Sequence, residues 1–135
     1  MSRREVRDSA FKLVFEQLLR NDPVEELYEI AEEIEEITVD DAVKALVEGS
    51  IAHAEEIDSI ISQYSTKRGL SRIPKVNRAV LRIAFFEILH DDGTPMNAAI
   101  NEAVQLAQTY AAEEDVAFVN GILGAYARAN SEQEA

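Results

Sequence analysis

Residues 76–89 read VNRAVLRIAFFEIL, a stretch in which apolar side chains recur at helical spacing and fall on more than one side of the helix. A helix with only one apolar stripe lies on a surface, whereas one apolar on several sides needs neighbours around it. This segment is therefore expected at the centre of a helical bundle. Ser71-Arg72-Ile73-Pro74 leads into it, with Pro74 fixing the first turn. Asp91-Asp92-Gly93-Thr94-Pro95 closes it as a turn.

Working outward, the same periodicity extends almost throughout, and no segment reads as a strand. A first helix opens at Ser2, with Glu5 three residues on as a capping box, and runs to about Leu19. Asp22 as N-cap, Pro23 and Glu25 begin a second, whose stripe is Leu27, Ile30, Ala31, Ile34 and Ile37. A long third helix is expected from about Asp40 to Tyr64, burying Val43, Leu46, Val47, Ala54, Ile57, Ile61 and Tyr64. Beyond the central helix come one over about Asn97–Tyr110 and a last one from near Asp115 that buries Val119, Ile122, Leu123 and Tyr126. The fold class is all-α, a compact bundle of six to seven helices. Residues 1–130 are expected to form one domain and residues 131–135 a frayed tail.

Composition narrows the function. The chain of 135 residues has no cysteine, which removes disulfides, thiolate metal sites and cysteine nucleophiles. No apolar run reaches the length of a membrane span, and the N-terminus lacks the apolar core of a signal peptide, so a soluble cytoplasmic protein is expected. The two histidines, His53 and His90, lie far apart without a metal-ligand pattern, and no metal site or cofactor is expected. Acidic pairs such as Glu32-Glu33, Glu35-Glu36 and Glu113-Glu114 are adjacent, point in different directions on a helix, and read as solvated faces. Gly121 and Gly124 sit inside an apolar helix and do not cradle a phosphate. No reaction and no small-molecule substrate are expected.

The net charge of −13 conceals two basic islands. Residues 1–15 carry four basic against two acidic side chains, and residues 64–90 carry six against one. On the first helix Val6, Ala10, Leu13, Val14 and Gln17 share one arc, and Arg4, Asp8, Phe11, Lys12 and Phe15 share the next, with Arg3 and Arg7 flanking. Cations beside aromatic rings suit single-stranded RNA, since cations track phosphates and rings stack on bases. The same residues admit a plainer reading, in which the phenylalanines complete the core and the arginines are solvated charge. In the second island Arg78 and Arg82 lie four apart and could pair internally. Phe118, in the first turn of the last helix, sits where free N–H groups favour a phosphate or else belongs to the core.

Three ordered blocks resolve these alternatives by likeness. RREVRDSAFKLVF at 3–15, KVNRAVLRIAFFEIL at 75–89, and AINEAVQLA at 99–107 with FVNGILG at 118–124 together resemble the NusB family of bacterial transcription antitermination factors. The resemblance implies two packed helical sub-bundles in one unit and no catalysis. It implies binding of boxA single-stranded RNA together with the ribosomal protein NusE, near RNA polymerase in the antitermination complex, notably on ribosomal RNA operons. It places the RNA surface at Arg3, Arg4, Arg7, Lys12 and Phe15 with Glu114 and Phe118, and the protein partner along Pro74–Arg82, including Lys75, Arg78 and Arg82. The sequence departs from the family pattern at Glu5, at Ala117 and across Gln108-Thr109-Tyr110-Ala111, each change removing attraction for phosphate. The competing class is an acidic helical adaptor that binds protein and has no intrinsic RNA binding. A methyltransferase carrying a similar helical domain is not expected, because no nucleotide-binding strand or glycine motif is present.

Overall fold

The computed structural model describes residues 2–34 and 37–134, with backbone alone for 132–134. They form seven α-helices and one 3-10 turn: α1 (Arg3–Arg20), α2 (Val24–Glu32), α3 (Asp41–Ala52), α4 (Ala54–Tyr64), the turn Leu70–Arg72, α5 (Lys75–His90), α6 (Met96–Tyr110) and α7 (Glu113–Glu134). No described residue is in a strand. No helix of the described residues is long and apolar enough to cross a membrane.

α5 is the central helix that its sequence requires. Ala79, Val80, Leu81, Ile83, Ala84 and Phe85 are all buried, and α1, α3, α4, α6 and α7 pack around it. On one side α1, α2 and α3 form one sub-bundle with it; on the other α4, α6 and α7 form the second. Burying this shared helix from both sides joins the two halves through one core.

Local signals set the helix ends. Ser2 caps α1 by accepting the Glu5 N–H at 3.1 Å, and its hydroxyl donates to the Glu5 carboxylate at 3.1 Å. α1 ends at Asn21, whose φ of 56° is left-handed, a conformation asparagine tolerates; its N–H returns to the Gln17 carbonyl at 2.8 Å. Asp22, expected to cap α2, instead pairs with Arg20 at 2.9 Å, and Pro23 occupies the cap. Asp40 caps α3 through the Val43 N–H at 2.9 Å.

Two further expectations need correction. The third helix does not run unbroken to Tyr64: the chain turns at His53 (φ −100°, ψ 17°), so α3 packs on α1 and α5 while α4 packs on α5 and α7. Gly49, one turn before the break, is where the Phe86 ring comes closest; a Cβ there would lie 2.2 Å from it. Ile30 in α2 and Ile34 just beyond its end are 37% and 43% exposed, facing a groove rather than the core. α7 spans Glu113–Glu134. Glu35, Glu36 and Ala135 lie outside the described residues.

Candidate nucleic-acid interface

The inner face of α1 is as expected for Val6, Ala10, Leu13 and Val14, all buried. Phe11 joins them at 2% exposure, so only one of the two arc aromatics stays accessible. Three rings form a ladder: Tyr110 stacks on Phe11 with centroids 4.7 Å apart, and Phe15 lies parallel to Phe11 at 6.0 Å. Phe15 is the outermost rung, half-buried, with one side packed on the core. It also walls an apolar groove of about 440 Å³ between α1 and α2, with Leu27, Ile30 and Ile34 opposite and Lys12 and Arg20 among the lining residues.

The cations of α1 are tethered by carboxylates. The Arg3 guanidinium donates to Asp91 at 2.6 Å and to Glu87 at 3.3 Å. Arg4, with its side chain 66% exposed, donates through Nε and NH2 to the two oxygens of Glu102 at 3.2 and 3.1 Å. The hydrogen bond from Arg4 holds the Glu102 carboxyl below the usual carboxylate range; burial opposes it, and the charges of Arg4 and Arg7 add to the lowering. Lys12 sits 3.1 Å from Asp8, one helical turn back. Asp8 in turn accepts the Tyr110 hydroxyl, and burial followed by that bond raises the Tyr110 pKa.

Arg7, which the family resemblance places on the RNA surface, is turned inward. It is 6% exposed and lies flat against Glu87, Nε to Oε1 at 2.8 Å and NH2 to Oε2 at 3.0 Å. This fork-to-fork geometry uses the donors a phosphate would need. Glu87, itself 1% exposed, also accepts Arg3 and the Thr94 hydroxyl at 3.3 Å. One buried carboxylate thus fixes the start of α1 to α5 and to the turn after it.

The start of α7 is held near this face. Tyr110 ends α6 against α1, and Glu113 follows three residues later, a reach of at most about 11 Å. Glu114 is exposed, and Phe118 is half-buried with the Arg68 guanidinium 4.7 Å above its ring. Glu113, Glu114 and Asp115 already place three carboxylates in the first turn, where the helix dipole favours negative charge. The expected attraction of a phosphate to these N–H groups is accordingly offset.

In the second basic island only Lys75 is exposed among the three partner candidates. Arg82 is 6% exposed and donates to Asp58 at 3.0 Å, and Arg78 reaches the same carboxylate at 3.4 Å. The internal pairing considered from the sequence is the arrangement present. The Asn77 Oδ1 and Arg78 Nε atoms are buried without a hydrogen-bond partner. Sequence reasoning missed Tyr110, Glu102, Glu87 and Asp91 as neighbours of this face; only the Asp8–Lys12 spacing carried a local signal.

Residues 4–128 match the family model described as the NusB family. Relatives described as transcription antitermination protein NusB include one from Heliobacterium modesticaldum, 42% identical over 95% of this chain and 63% of its own length. Another, from Acetivibrio thermocellus, is 40% identical over 92% of this chain and 87% of its own. This chain thus spans less than two thirds of the first and most of the second. In three dimensions, a solved structure of antitermination factors NusB and NusE in complex with dsRNA contains a chain of 32% identity and TM-score 0.81, covering 94% of this chain and 96% of that one. A match that begins within the basic start of α1 and ends inside α7, together with the same arrangement of helices in a solved relative, means that this chain belongs to the NusB family.

Proposed function

We propose that this chain is a cytoplasmic transcription antitermination factor that binds boxA single-stranded RNA of nascent transcripts together with the ribosomal protein NusE, close to RNA polymerase. The observation that carries the reading is the exposed end of the ring ladder at Phe15, on the same helix as Arg3, Arg4 and Lys12. Base stacking on Phe15 supplies sequence-tolerant affinity, and the three cations supply phosphate contacts. Phe118 and Glu114 extend the surface at the start of α7. Arg7 is a positioning residue that holds the base of α1 rather than a phosphate ligand. Lys75 and Arg78 on α5 face the protein partner, with Arg82 fixing Asp58 behind them. The antitermination name of the relatives and the NusB–NusE assembly of a solved relative support the same reading.

Because each α1 cation is already on a carboxylate, RNA binding is an exchange of partners and gains less than a new ion pair would. Binding alone is therefore weak and tightens with NusE, which adds its own contacts. With about three phosphate contacts, the slope of log affinity against log salt is near −2. The paired arginines also give specific support to a second reading, the acidic adaptor without intrinsic RNA binding. Titrating labelled boxA RNA with the chain, with and without NusE and across salt, separates the two. Binding that appears only with NusE and does not change when Phe15 is replaced favours the adaptor.

A further inference from the structure

Among the described residues, His53, Glu56 and His90 bring three ligand atoms within 4.8 Å of one another, His53 and Glu56 from one turn of chain at the start of α4 and His90 from the end of α5. His53 is the hinge residue between α3 and α4, Glu56 lies in the first turn of α4, and His90 closes α5. His90 Nε2 lies 2.7 Å and His53 Nδ1 3.6 Å from the same oxygen, Glu56 Oε1. The two imidazoles stack with centroids 3.8 Å apart and planes 22° apart, and Phe86, seated on Gly49, buttresses both rings.

We infer that His53, Glu56 and His90 form a binding site for a divalent transition ion of the zinc class, with water completing the coordination. Two imidazoles and one carboxylate are borderline-to-hard donors that suit Zn²⁺, Co²⁺ or Ni²⁺, whereas Mg²⁺ and Ca²⁺ take oxygen ligands. His90 lies at the C-terminus of α5, where the helix dipole favours a cation; at His53 the end of α3 and the start of α4 offset each other.

The geometry sets one requirement. Stacked rings point their lone pairs along nearly parallel planes, so a shared ion at about 2.0–2.1 Å from each nitrogen forces the rings to splay. Both side chains are partly exposed at helix termini, which leaves that rotation open. Metal binding therefore breaks the His53–His90 stack and clips the α3–α4 hinge to the end of α5.

The test is calorimetric titration of ZnCl2 into the full chain, paired with visible absorption on adding CoCl2. The expected result is one ion per chain, a Co²⁺ band stronger than that of the hydrated ion, and a melting temperature that rises with Zn²⁺ and falls back with a chelator. His53→Gln, Glu56→Gln and His90→Gln each weaken binding by about ten-fold or more while helicity is retained, and imidazole proton shifts report loss of the stack. Glu26→Gln with Glu29→Gln, on the exposed face of α2, leaves binding unchanged. Several weak ions per chain that ignore the three site variants, or no saturable binding at all, would overturn the assignment.

Discussion

Replacing Glu87 by leucine should be among the most damaging single changes in this protein, and the reason is Arg7 rather than Glu87 itself. In Glu87→Leu the Arg7 guanidinium, 8% exposed, loses both of its short hydrogen bonds and keeps only Glu102 at 3.9 Å. Breaking a buried ion pair from one side costs about 3–5 kcal/mol, because a charge is left in a poorly solvating site. Against a typical domain stability of about 5–15 kcal/mol that is a large share. At roughly 4 °C per kcal/mol for a chain of this length, the melting temperature falls by about 12–20 °C. Arg7→Met with Glu87→Leu removes both charges and keeps the apolar volume, so the double variant should return to within about 1 kcal/mol of the parent. Urea denaturation at pH 7 followed by circular dichroism measures both, with an unchanged m-value as the check on two-state behaviour. A loss below about 1 kcal/mol in Glu87→Leu, or a double variant as unstable as the single, would refute the account. The double variant also tests function: if Arg7 only positions α1, its RNA salt slope matches that of the parent.

Four further outcomes are expected. Phe15→Ala lowers RNA affinity by about 1–3 kcal/mol in fluorescence anisotropy, while its drop in stability is smaller than the roughly 3–5 kcal/mol of Phe11→Ala, whose ring is fully enclosed. Gly49→Ala pushes a methyl into the Phe86 ring and costs about 1–3 kcal/mol in thermal melting, which Phe86→Leu recovers in part. Glu102→Gln frees Arg4 from its carboxylate, so RNA binds more tightly without NusE while the salt slope stays near −2, because the number of phosphate contacts is unchanged. Since the folded-state pKa of Glu102 is depressed, its contribution to stability is present above the ordinary carboxylate value of 4.5 and lost as pH falls through the lower folded value; in Arg4→Ala that part of the acid limb of a melting-temperature series flattens.

The elements were legible in the sequence where the signal is local. The cap at Ser2, the helix start near Asp40, the turn at Asp91–Pro95 and the all-round apolar α5 are properties of neighbouring residues, and each is present in the fold. The break at His53 was not legible, because nothing near it in sequence ends a helix; the turn accompanies the packing of α3 and α4 on different neighbours. The stripe of α2 was visible, but whether Ile30 and Ile34 face core or groove depends on how closely α1 approaches. The cations of α1 were visible as charges and invisible as pairs, since their partners Glu87, Asp91 and Glu102 lie 80 or more residues away. One clue did exist: Glu87 is the only acid in residues 76–89, and a carboxylate inside so apolar a run needs a cation.

That same pairing bears on how a chain of net charge −13 can select an RNA. Non-specific affinity for polyanions rises with the number of unpaired cations, and here Arg3 and Arg4 are held on carboxylates while the body repels phosphate. A random strand meeting this surface gains little, because each phosphate contact costs a hydrogen-bonded carboxylate its partner. A strand that also stacks a base on Phe15 gains affinity by a route the negative charge does not cancel. The tethers do a second thing: Asp91 and Glu102 hold Arg3 and Arg4 by hydrogen bonds, so less side-chain freedom remains to be lost when phosphates replace the carboxylates. On the proposed reading, the discrimination that a basic protein obtains by adding contacts is obtained here by making the unstacked encounter unfavourable.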